Sequence, residues 1–238
     1  PADGEPAVMI SWYRNVGAGT QIEGQYADTL KAEILEPGDE VFCRVTPLNG
    51  LNPGESVDSN PVVVVNEAPT LSGASLTPEL AYVDSTLNCA KGVFEDTEND
   101  LVSFEFTWLV NGMEVPGDQD SISGMFAKDD VVQCRVTPSD AYDAGAPAFS
   151  NPVVIQNTLP SIGSLELNSD TKSYCAEYQC EVDGVQDVDG DPKVITYQWL
   201  VNGDLQAIAE NSPTFSSNEL APGDTVRCRA KPWDGAID

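Results

Sequence analysis

Apolar and polar residues alternate along most of this chain, and the most regular alternation occurs three times. In each copy a Cys-Arg pair lies at the centre, an Asp lies four residues before the Cys, and a Pro lies four residues after it. A period of two residues predicts a half-buried β-strand. The three copies are Val41-Phe42-Cys43-Arg44-Val45-Thr46-Pro47, Val132-Gln133-Cys134-Arg135-Val136-Thr137-Pro138 and Val226-Arg227-Cys228-Arg229-Ala230-Lys231-Pro232.

The intervals between these copies predict a tandem array. The three cysteines follow one another at 91 and 94 residues, which is long enough for one small domain each. We predict a first repeat at 1–65 that lacks its first two strands, a complete second repeat at 66–156, and a third repeat at 157–238 that lacks its last strand. Two explanations stay open for the incomplete repeats: the chain is part of a longer array, or neighbouring subunits supply the missing strands.

The second repeat shows the predicted strands most fully. They lie at 70–78, 85–94, 102–110, 131–137 and 147–155, with one or two short strands within 115–126. Asn111-Gly112 and Asn202-Gly203 each follow a tryptophan strand and are strong hairpin signals. Only 30–35 could form a turn of helix, so the chain is predicted to be all-β.

The charge of the chain excludes some classes of function. The sequence has 39 acidic and 11 basic residues, a net charge of −28. Binding to nucleic acid or to an anionic membrane surface requires a basic footprint, so both are excluded. No apolar run is long enough for membrane insertion in this segment. Two interpretations remain: the carboxylates keep the protein soluble, or some of them bind cations.

The six cysteines and the absence of histidine indicate disulfides formed in an oxidising compartment. A Cys in the second strand, a Trp 19 residues later and a Cys in the penultimate strand form the immunoglobulin core pattern. We therefore predict two bridges, Cys89–Cys134 and Cys180–Cys228. The three tryptophans of this pattern, Trp12, Trp108 and Trp199, are predicted to lie in the core.

Two cysteines are left over. Cys43 occupies a bridge position, but its own repeat offers no second-strand partner. Cys175 precedes Cys180 by five residues and has no counterpart in the second repeat. We expect the partner of Cys43 upstream of Pro1 or in another subunit, while Cys175 could be free or cross-linked to a neighbour. An intermolecular bridge between Cys43 and Cys175 is also arithmetically possible.

These motifs together resemble the bacterial immunoglobulin-like tandem repeats of large secreted surface proteins, which are similar in style to PKD and cadherin-like modules. The resemblance covers the whole chain and rests on an Asp-x-Asp-Gly-Asp loop, Trp-x-x-Asn-Gly, Gly-Asp-x-Val-x-Cys and Ser-Asn-Pro-Val. It implies tandem immunoglobulin-like β-sandwiches in a linear array and a bacterial, extracellular or cell-surface rod, stalk, fibre or adhesin, often stiffened by calcium. Its partners would be neighbouring repeats or identical subunits, with strand complementation in a fibre. Cys175, and the missing second-strand Cys of the first repeat, depart from the pattern.

Acidic residues gather in the linkers and loops at the pole where the chain enters each predicted sandwich. Oxygen ligands of this kind suit calcium, the one cofactor that we predict. An EF-hand is excluded because Gly190 stands at the fourth loop position and Gln198 at the twelfth. The alternative is that these are solvated turn residues. The candidate ligands are Asn66, Glu67, Asp96, Glu98, Asp100 and Asp140 in the second repeat, and Asn157, Asp187, Asp189, Asp191 and Asp234 in the third.

Nothing in the sequence favours an enzyme. Without histidine there is no Ser-His or Cys-His pair, and no glycine-rich phosphate loop lies between a strand and a helix. We therefore predict a structural extracellular segment with no catalytic residues. The alternative is an adhesin or carbohydrate-binding module, for which Trp233 is the one candidate platform.

Overall fold

The computed structural model describes residues 7–15, 19–22, 24, 27–50, 52–117, 119–171, 173, 175–216 and 218–235. The predicted outer bounds of the first and third repeats, residues 1 and 238, lie outside these residues. The described chain is all-β, as predicted. Its helices are two 3-10 turns, Ala32–Ile34 and Ala207–Ala209, and none of the described helices has the length and apolar character of a membrane span.

The first repeat forms one described sheet. Residues 41–48 of β3 (Glu40–Asn49) pair with the whole of β1 (Ala7–Arg14), from Ala7 opposite Leu48 to Arg14 opposite Val41. The sheet order is β2-β1-β3-β4, and β5 and β6 also pair with β3. The strands are β1 Ala7–Arg14, β2 Thr20–Gln21, β3 Glu40–Asn49, β4 Asn52–Pro53, β5 Val57–Asp58 and β6 Val62–Val63.

The second repeat has the layered arrangement of a sandwich. Three short strands form the sheet β14-β10-β8, a two-stranded sheet pairs β11 with β7, and the larger sheet has the order β13-β12-β15-β17-β9, with β16 on β15. The strands are β7 Thr70–Leu71, β8 Ala74–Thr77, β9 Ala81–Tyr82, β10 Leu87–Lys91, β11 Phe94–Glu95, β12 Ser103–Val110, β13 Met113–Val115, β14 Ser121–Ile122, β15 Val131–Ser139, β16 Ala148–Phe149 and β17 Val153–Gln156.

The third repeat has two three-stranded sheets, β18-β19-β22 and β21-β20-β23. Both predicted hairpin turns form, since Asn111 and Gly112 have φ of 52° and 78°, and Asn202 and Gly203 have φ of 50° and 96°. Such left-handed pairs match the twist of a two-residue hairpin. The strands are β18 Ser164–Ser169, β19 Tyr178–Asp183, β20 Val194–Val201, β21 Asp204–Gln206, β22 Thr214–Phe215 and β23 Val226–Trp233.

A disulfide and a tryptophan hold each sandwich core. Cys89 on β10 is bonded to Cys134 on β15, and Cys180 on β19 to Cys228 on β23, so each bridge joins two sheets. Separations of 45 and 48 residues correspond to about 4 kcal/mol of stabilisation each in the chain-entropy treatment. Trp108 and Trp199 are 0% exposed. This bridge and tryptophan arrangement is that of the immunoglobulin core, so the predicted fold class is confirmed.

Contacts divide the chain into two compact units. The first holds the described parts of Pro1–Ser72, Val93–Glu105 and Thr137–Pro147, and the second those of Gly73–Gly92, Phe106–Val136 and Ala148–Asp238. The bounds of the three repeats stay predictions.

Candidate metal centre

The acidic loop of the third repeat connects β19 to β20 and folds back on its first aspartate. Asp187 Oδ1 accepts hydrogen bonds from the backbone amides of Asp189 at 2.9 Å and Asp191 at 3.3 Å. Gly190 has a φ of 80°, which a residue without Cβ adopts freely. The loop therefore gathers three carboxylates, and one oxygen from each lies within 4.8 Å of the others.

The linker before the third repeat joins this loop through two residues. The backbone amide of Thr158 donates to Asp189 Oδ2 at 2.5 Å. The side-chain amide of Asn157 donates to Asp234 Oδ2 at 2.8 Å, just after the end of β23. The linker, the acidic loop and the last described loop therefore meet, as the predicted topology requires.

Four oxygen atoms at this meeting point are buried and have no hydrogen-bond partner among the described residues. The Asn157 amide and the Asp187 carboxylate already use their other polar atom, which leaves one oxygen of each unsatisfied. A buried oxygen without a partner loses its hydrogen bonds to water and gains none in the protein, which is unfavourable. Native proteins therefore contain few such atoms. The four atoms are Asn157 Oδ1, Thr158 Oγ1, Asp187 Oδ2 and Asp189 Oδ1.

One ammonium group offsets part of the negative charge. Lys128 lies just before β15 in the second repeat, and its Nζ forms an ion pair with Asp191 Oδ2. This hydrogen bond to Asp191, with the nearby charges of Asp191, Asp129 and Asp189, raises the pKa of Lys128. The contact ties the acidic loop to the preceding repeat.

The donor set of the third repeat fits calcium. Calcium takes six to eight oxygens from carboxylates, amides and hydroxyl or water groups in flexible geometry. Carboxylates of three aspartates and oxygens of Asn157 and Thr158 are of this kind, and none of these donors is a nitrogen or sulfur atom that would favour a transition metal.

The corresponding loop of the second repeat gathers fewer oxygens. Asp96 Oδ1 accepts the amide of Asp100 at 2.8 Å, and Glu67 accepts the Thr97 hydroxyl at 3.0 Å. Glu98 is exposed to solvent. Two buried oxygens lack partners among the described residues of this loop and linker, Asn66 Oδ1 and Asp96 Oδ2.

The linker asparagine of the second repeat makes the same kind of bond as Asn157. Asn66 Nδ2 donates to Asp140 Oδ2 at 3.1 Å and to Asp143 Oδ2 at 3.0 Å. The backbone amide of Asp143, with the Asn66 amide and the Tyr142 amide, lowers the pKa of Asp140. Asn66 and Asp140 are therefore joined, whereas Asp96 bonds within its own loop, Glu67 binds Thr97 and Glu98 is exposed.

Comparisons with known proteins leave the family open. No protein-family model matches the chain, and no curated protein matches it. Solved structures that match are the FN1–FN3 domains of chicken CNTN1 (12% identity, 95% of this chain and 83% of that one, TM-score 0.26), the immunoglobulin domains 1–5 of Sidekick-1 (16%, 94% and 54%, 0.28) and the N-terminal eight Ig domains of Down Syndrome Cell Adhesion Molecule (15%, 98% and 34%, 0.28).

These likenesses carry no argument about this chain, because all three TM-scores are below 0.3. The chain also spans only about half and a third of the Sidekick-1 and Down Syndrome Cell Adhesion Molecule structures. The fold described above rests on the strands, bridges and tryptophans of the chain itself.

The remaining candidate residues are the two leftover cysteines and two tryptophans. Cys43 is half-buried and Cys175 is exposed, and neither is bonded to another cysteine in the structure. Trp12 differs from the other two core tryptophans because it is only partly buried. Its Nε1 donates to a backbone oxygen, Ala27 O at 3.0 Å, as the indoles of the other two also do. No second sheet covers it among the described residues of the first repeat. Trp233 is 47% exposed at the end of β23.

Sequence reasoning missed Lys128 and Thr158. Lys128 occupies the place of Pro37 and Pro222 in the turns before the other two cysteine strands. Alignment of the three repeats could therefore have identified Lys128, because it is a charged residue at a position where the other two repeats have proline. Thr158 adjoins Asn157, but its role depends on the backbone bond to Asp189.

Proposed function

We propose that this chain is a structural segment of an extracellular rod, stalk or fibre whose repeat junction binds calcium. The observation that carries the proposal is a cluster of three carboxylates beside the linker. Two buried oxygens of this cluster, and one each of Asn157 and Thr158, have no hydrogen-bond partner among the described residues. Asp187, Asp189 and Asp191 would hold the ion, with the oxygens of Asn157 and Thr158. Bound calcium supplies positive charge that offsets the repulsion among these carboxylates.

The linker residues explain how binding would stiffen the chain. Asn157 and Thr158 belong to the segment that enters the third repeat, whereas the aspartates belong to a loop of its sandwich. A cation shared by both would fix the linker against the loop. The Lys128–Asp191 ion pair would add a second tie to the turn before β15.

The extracellular location rests on the covalent chemistry of the chain. Two bridges, each between different sheets, are stable in oxidising compartments and rare in the cytosol. The bacterial origin, and partners that are neighbouring repeats or identical subunits, belong to this proposal through the resemblance described above.

Calorimetry on the full chain tests the calcium site. We expect calcium to raise the melting temperature above its value in chelator, because an ion that binds only the folded state stabilises it, by about 2.7 kcal/mol at one hundred times Kd. Asp187→Asn keeps the size of the side chain and removes its charge, so it should abolish most of the shift. Glu166→Gln removes the same charge from an exposed position on β18 and should leave the shift intact.

Two results would contradict the proposal. One is an equal shift with magnesium or with matched ionic strength of sodium, which would indicate general screening of the acidic chain. The other is an Asp187→Asn variant that responds to calcium as fully as Glu166→Gln does.

A further inference from the structure

The turn before the cysteine strand is built in the same way in the first and second repeats. Asp39 Oδ2 accepts the backbone amide three residues before it at 3.0 Å, and Asp130 Oδ2 accepts the corresponding amide at 2.7 Å. In both turns the next amide along bonds to the segment that follows the cysteine strand, at 2.8 and 2.9 Å. Pro37 and Lys128 therefore occupy the same place in the same turn.

The acidic loop of the following repeat lies beside each of these turns. Asp100 and Asp191 occupy the same place in that loop, since the backbone amide of each donates to the first aspartate of its loop, at 2.8 and 3.3 Å. Pro37 and Asp100 line one groove, while Lys128 forms an ion pair with Asp191. The two sites thus share an acidic residue and differ in the side chain opposite it, proline in one and lysine in the other.

The groove beside Pro37 is large enough to hold a ligand side chain. All of its lining residues belong to the first compact unit. Its volume is about 510 Å³, within the range of known ligand sites. Its apolar lining consists of Leu35, Pro37, Val64, Val65 and Tyr142. Val65 and Tyr142 are 68% and 51% exposed, so the groove offers apolar surface to a partner.

Three carboxylates line the same groove, and none of them forms an ion pair with a basic residue in the described part of the chain. They belong to Glu33 and Glu98, which are exposed, and to Asp100, which is half-buried. In the next repeat the ammonium of Lys128 neutralises Asp191, the counterpart of Asp100. The groove therefore keeps the acceptor of an ammonium group, while proline stands in place of the residue that supplies it.

The shape and charge of the groove together suit a lysine side chain. The four-carbon stem of lysine packs on apolar surface while its ammonium reaches a carboxylate. The aromatic ring of Tyr142 adds attraction for an ammonium group. A bare metal ion would gain nothing from the apolar lining. The net charge of −28 also favours association with a basic partner.

We propose that the groove between Pro37 and Asp100 binds a lysine side chain of a partner protein. The ammonium binds the carboxylate of Asp100, as Lys128 binds Asp191. The stem lies along the apolar lining, and Glu33 adds attraction at the exposed rim. This interaction is separate from the proposed calcium site, whose ligands belong to the third repeat and its linker.

A peptide titration of the full chain tests the proposal, in chelator so that calcium has no part in the result. The probe is the tripeptide Ala-Lys-Ala, acetylated and amidated at its ends and followed by heteronuclear NMR. We expect shifts confined to backbone amides of 33–36, 64–65, 97–100 and 142. The same peptide with norleucine in place of lysine should bind about tenfold more weakly, because it loses a hydrogen bond between charged groups.

A matched pair of variants identifies the carboxylate that binds the peptide. Asp100→Asn should weaken binding of the lysine peptide about tenfold and leave the weak binding of the norleucine peptide unchanged. Glu105→Gln removes the same charge from an exposed position on β12 and should leave both affinities unchanged.

A second pair supplies the ammonium from the chain itself. Pro37→Lys should raise the melting temperature above that of Pro37→Gln, because its ammonium reaches Asp100 as Lys128 reaches Asp191. Adding Asp100→Asn should remove this difference. Pro37→Lys should also abolish binding of the lysine peptide, since the groove is then occupied.

Four outcomes would overturn the proposal, and the first two need only the parent protein. Equal binding of the norleucine peptide would show that the groove does not recognise charge. Tighter binding of putrescine than of the tripeptide would make the ligand a free diamine. Shifts only at other residues would place the peptide elsewhere. An Asp100→Asn variant that binds as tightly as Glu105→Gln would exclude Asp100 as the acceptor.

Discussion

The second and third repeats carry the same motifs but differ in two features, the acidic loop and the burial of the residues around the cysteine strand. Among the described residues, the clustered carboxylates and linker of the third repeat contain four buried oxygens without a hydrogen-bond partner, whereas the acidic loop and linker of the second contain two. The second repeat covers its cysteine strand with β17 and buries Leu76, whereas in the third Leu167 is 42% exposed.

The difference between the loops lies mainly at their third position, which is Asp189 in the third repeat and Glu98 in the second. Asp187-Val188-Asp189-Gly190-Asp191 corresponds to Asp96-Thr97-Glu98-Asn99-Asp100. Asp189 bonds to the linker amide of Thr158, while the longer Glu98 is exposed. An equal count of acidic residues therefore does not make an equal site, because the position of each oxygen depends on side-chain length and linker contacts.

The largest expected effect is the difference in stability between alanine variants of Leu76 and Leu167. Leu76→Ala should lower the free energy of unfolding of the second repeat by about 3 kcal/mol, since it empties a fully buried site. Leu167→Ala should cost less than about 1 kcal/mol, because the side chain is already partly hydrated. Denaturant unfolding of both variants measures the contrast, and equal losses would show that β18 is as well covered as β8.

A smaller effect is expected from rebuilding the second loop, and it rests on the proposed calcium site. Glu98→Asp with Asn99→Gly gives the second repeat the Asp-x-Asp-Gly-Asp pattern. We expect its calcium affinity to rise about tenfold, because ligand number and loop geometry set affinity in such sites. Titration calorimetry of the variant and of an Asp187→Asn background separates the two loops.

If the rebuilt loop gains no affinity, the linker determines the site and the loop sequence does not. Glu67→Thr would then be the informative next change, because Glu67 follows Asn66 as Thr158 follows Asn157. The exposed hairpin variant Asp204→Asn serves as the control for altered net charge.

The smallest effect concerns the turn before β23. The backbone amide of Ala221 and then the Asn202 amide lower the pKa of Asp224. The stabilisation by this carboxylate is therefore present above its unfolded pKa of about 3.9 and is lost as the pH falls through the lower folded value. Asp224→Asn should reduce the melting temperature at pH 7, and the gap to the parent should narrow as the pH falls below the unfolded pKa of about 3.9.

Asp130 provides the internal comparison for that experiment. It accepts the Ala127 amide and the Asn111 amide, both at 2.7 Å, as Asp224 accepts their counterparts. The pH profile of Asp130→Asn shows whether the covered strand edge of the second repeat changes the loss. A gap for Asp224→Asn that stays constant from pH 7 to pH 3 would contradict the electrostatic cause.

The sequence predicted the strands well because alternation and covalent pattern act locally. The cysteine strands, the hairpins at Asn111 and Asn202, and both bridges follow from periods and spacings. Predicted strands at 70–78 and 85–94 are each broken in two in the structure, where Gly73 and Gly92 bond to one another. Residues 30–35 contain a 3-10 turn at Ala32–Ile34 that the other repeats gave no reason to expect.

The candidate site was less predictable than the fold. Acidic loops and linker asparagines could be identified from their positions. The different roles of Asp189, which binds the linker, and Glu98, which is exposed, depend on three-dimensional contacts. The hydrogen bond from the Leu76 amide to Asn151 Oδ1 was also not predictable, because a side chain there takes the place of the backbone of a neighbouring strand. Trp12 was predicted by analogy to be core, yet burial requires a facing sheet that the alignment of motifs does not supply.

The position of the bridge in the second repeat also determines how the protein would respond to tension. Force along the chain cannot straighten the residues between Cys89 and Cys134, which are 45 apart. At about 3.4 Å per extended residue, about 150 Å of length stays locked while the bridge is oxidised. A reducing environment would release that length, so the thiol state of the surroundings would set how far each unfolded repeat can lengthen under load.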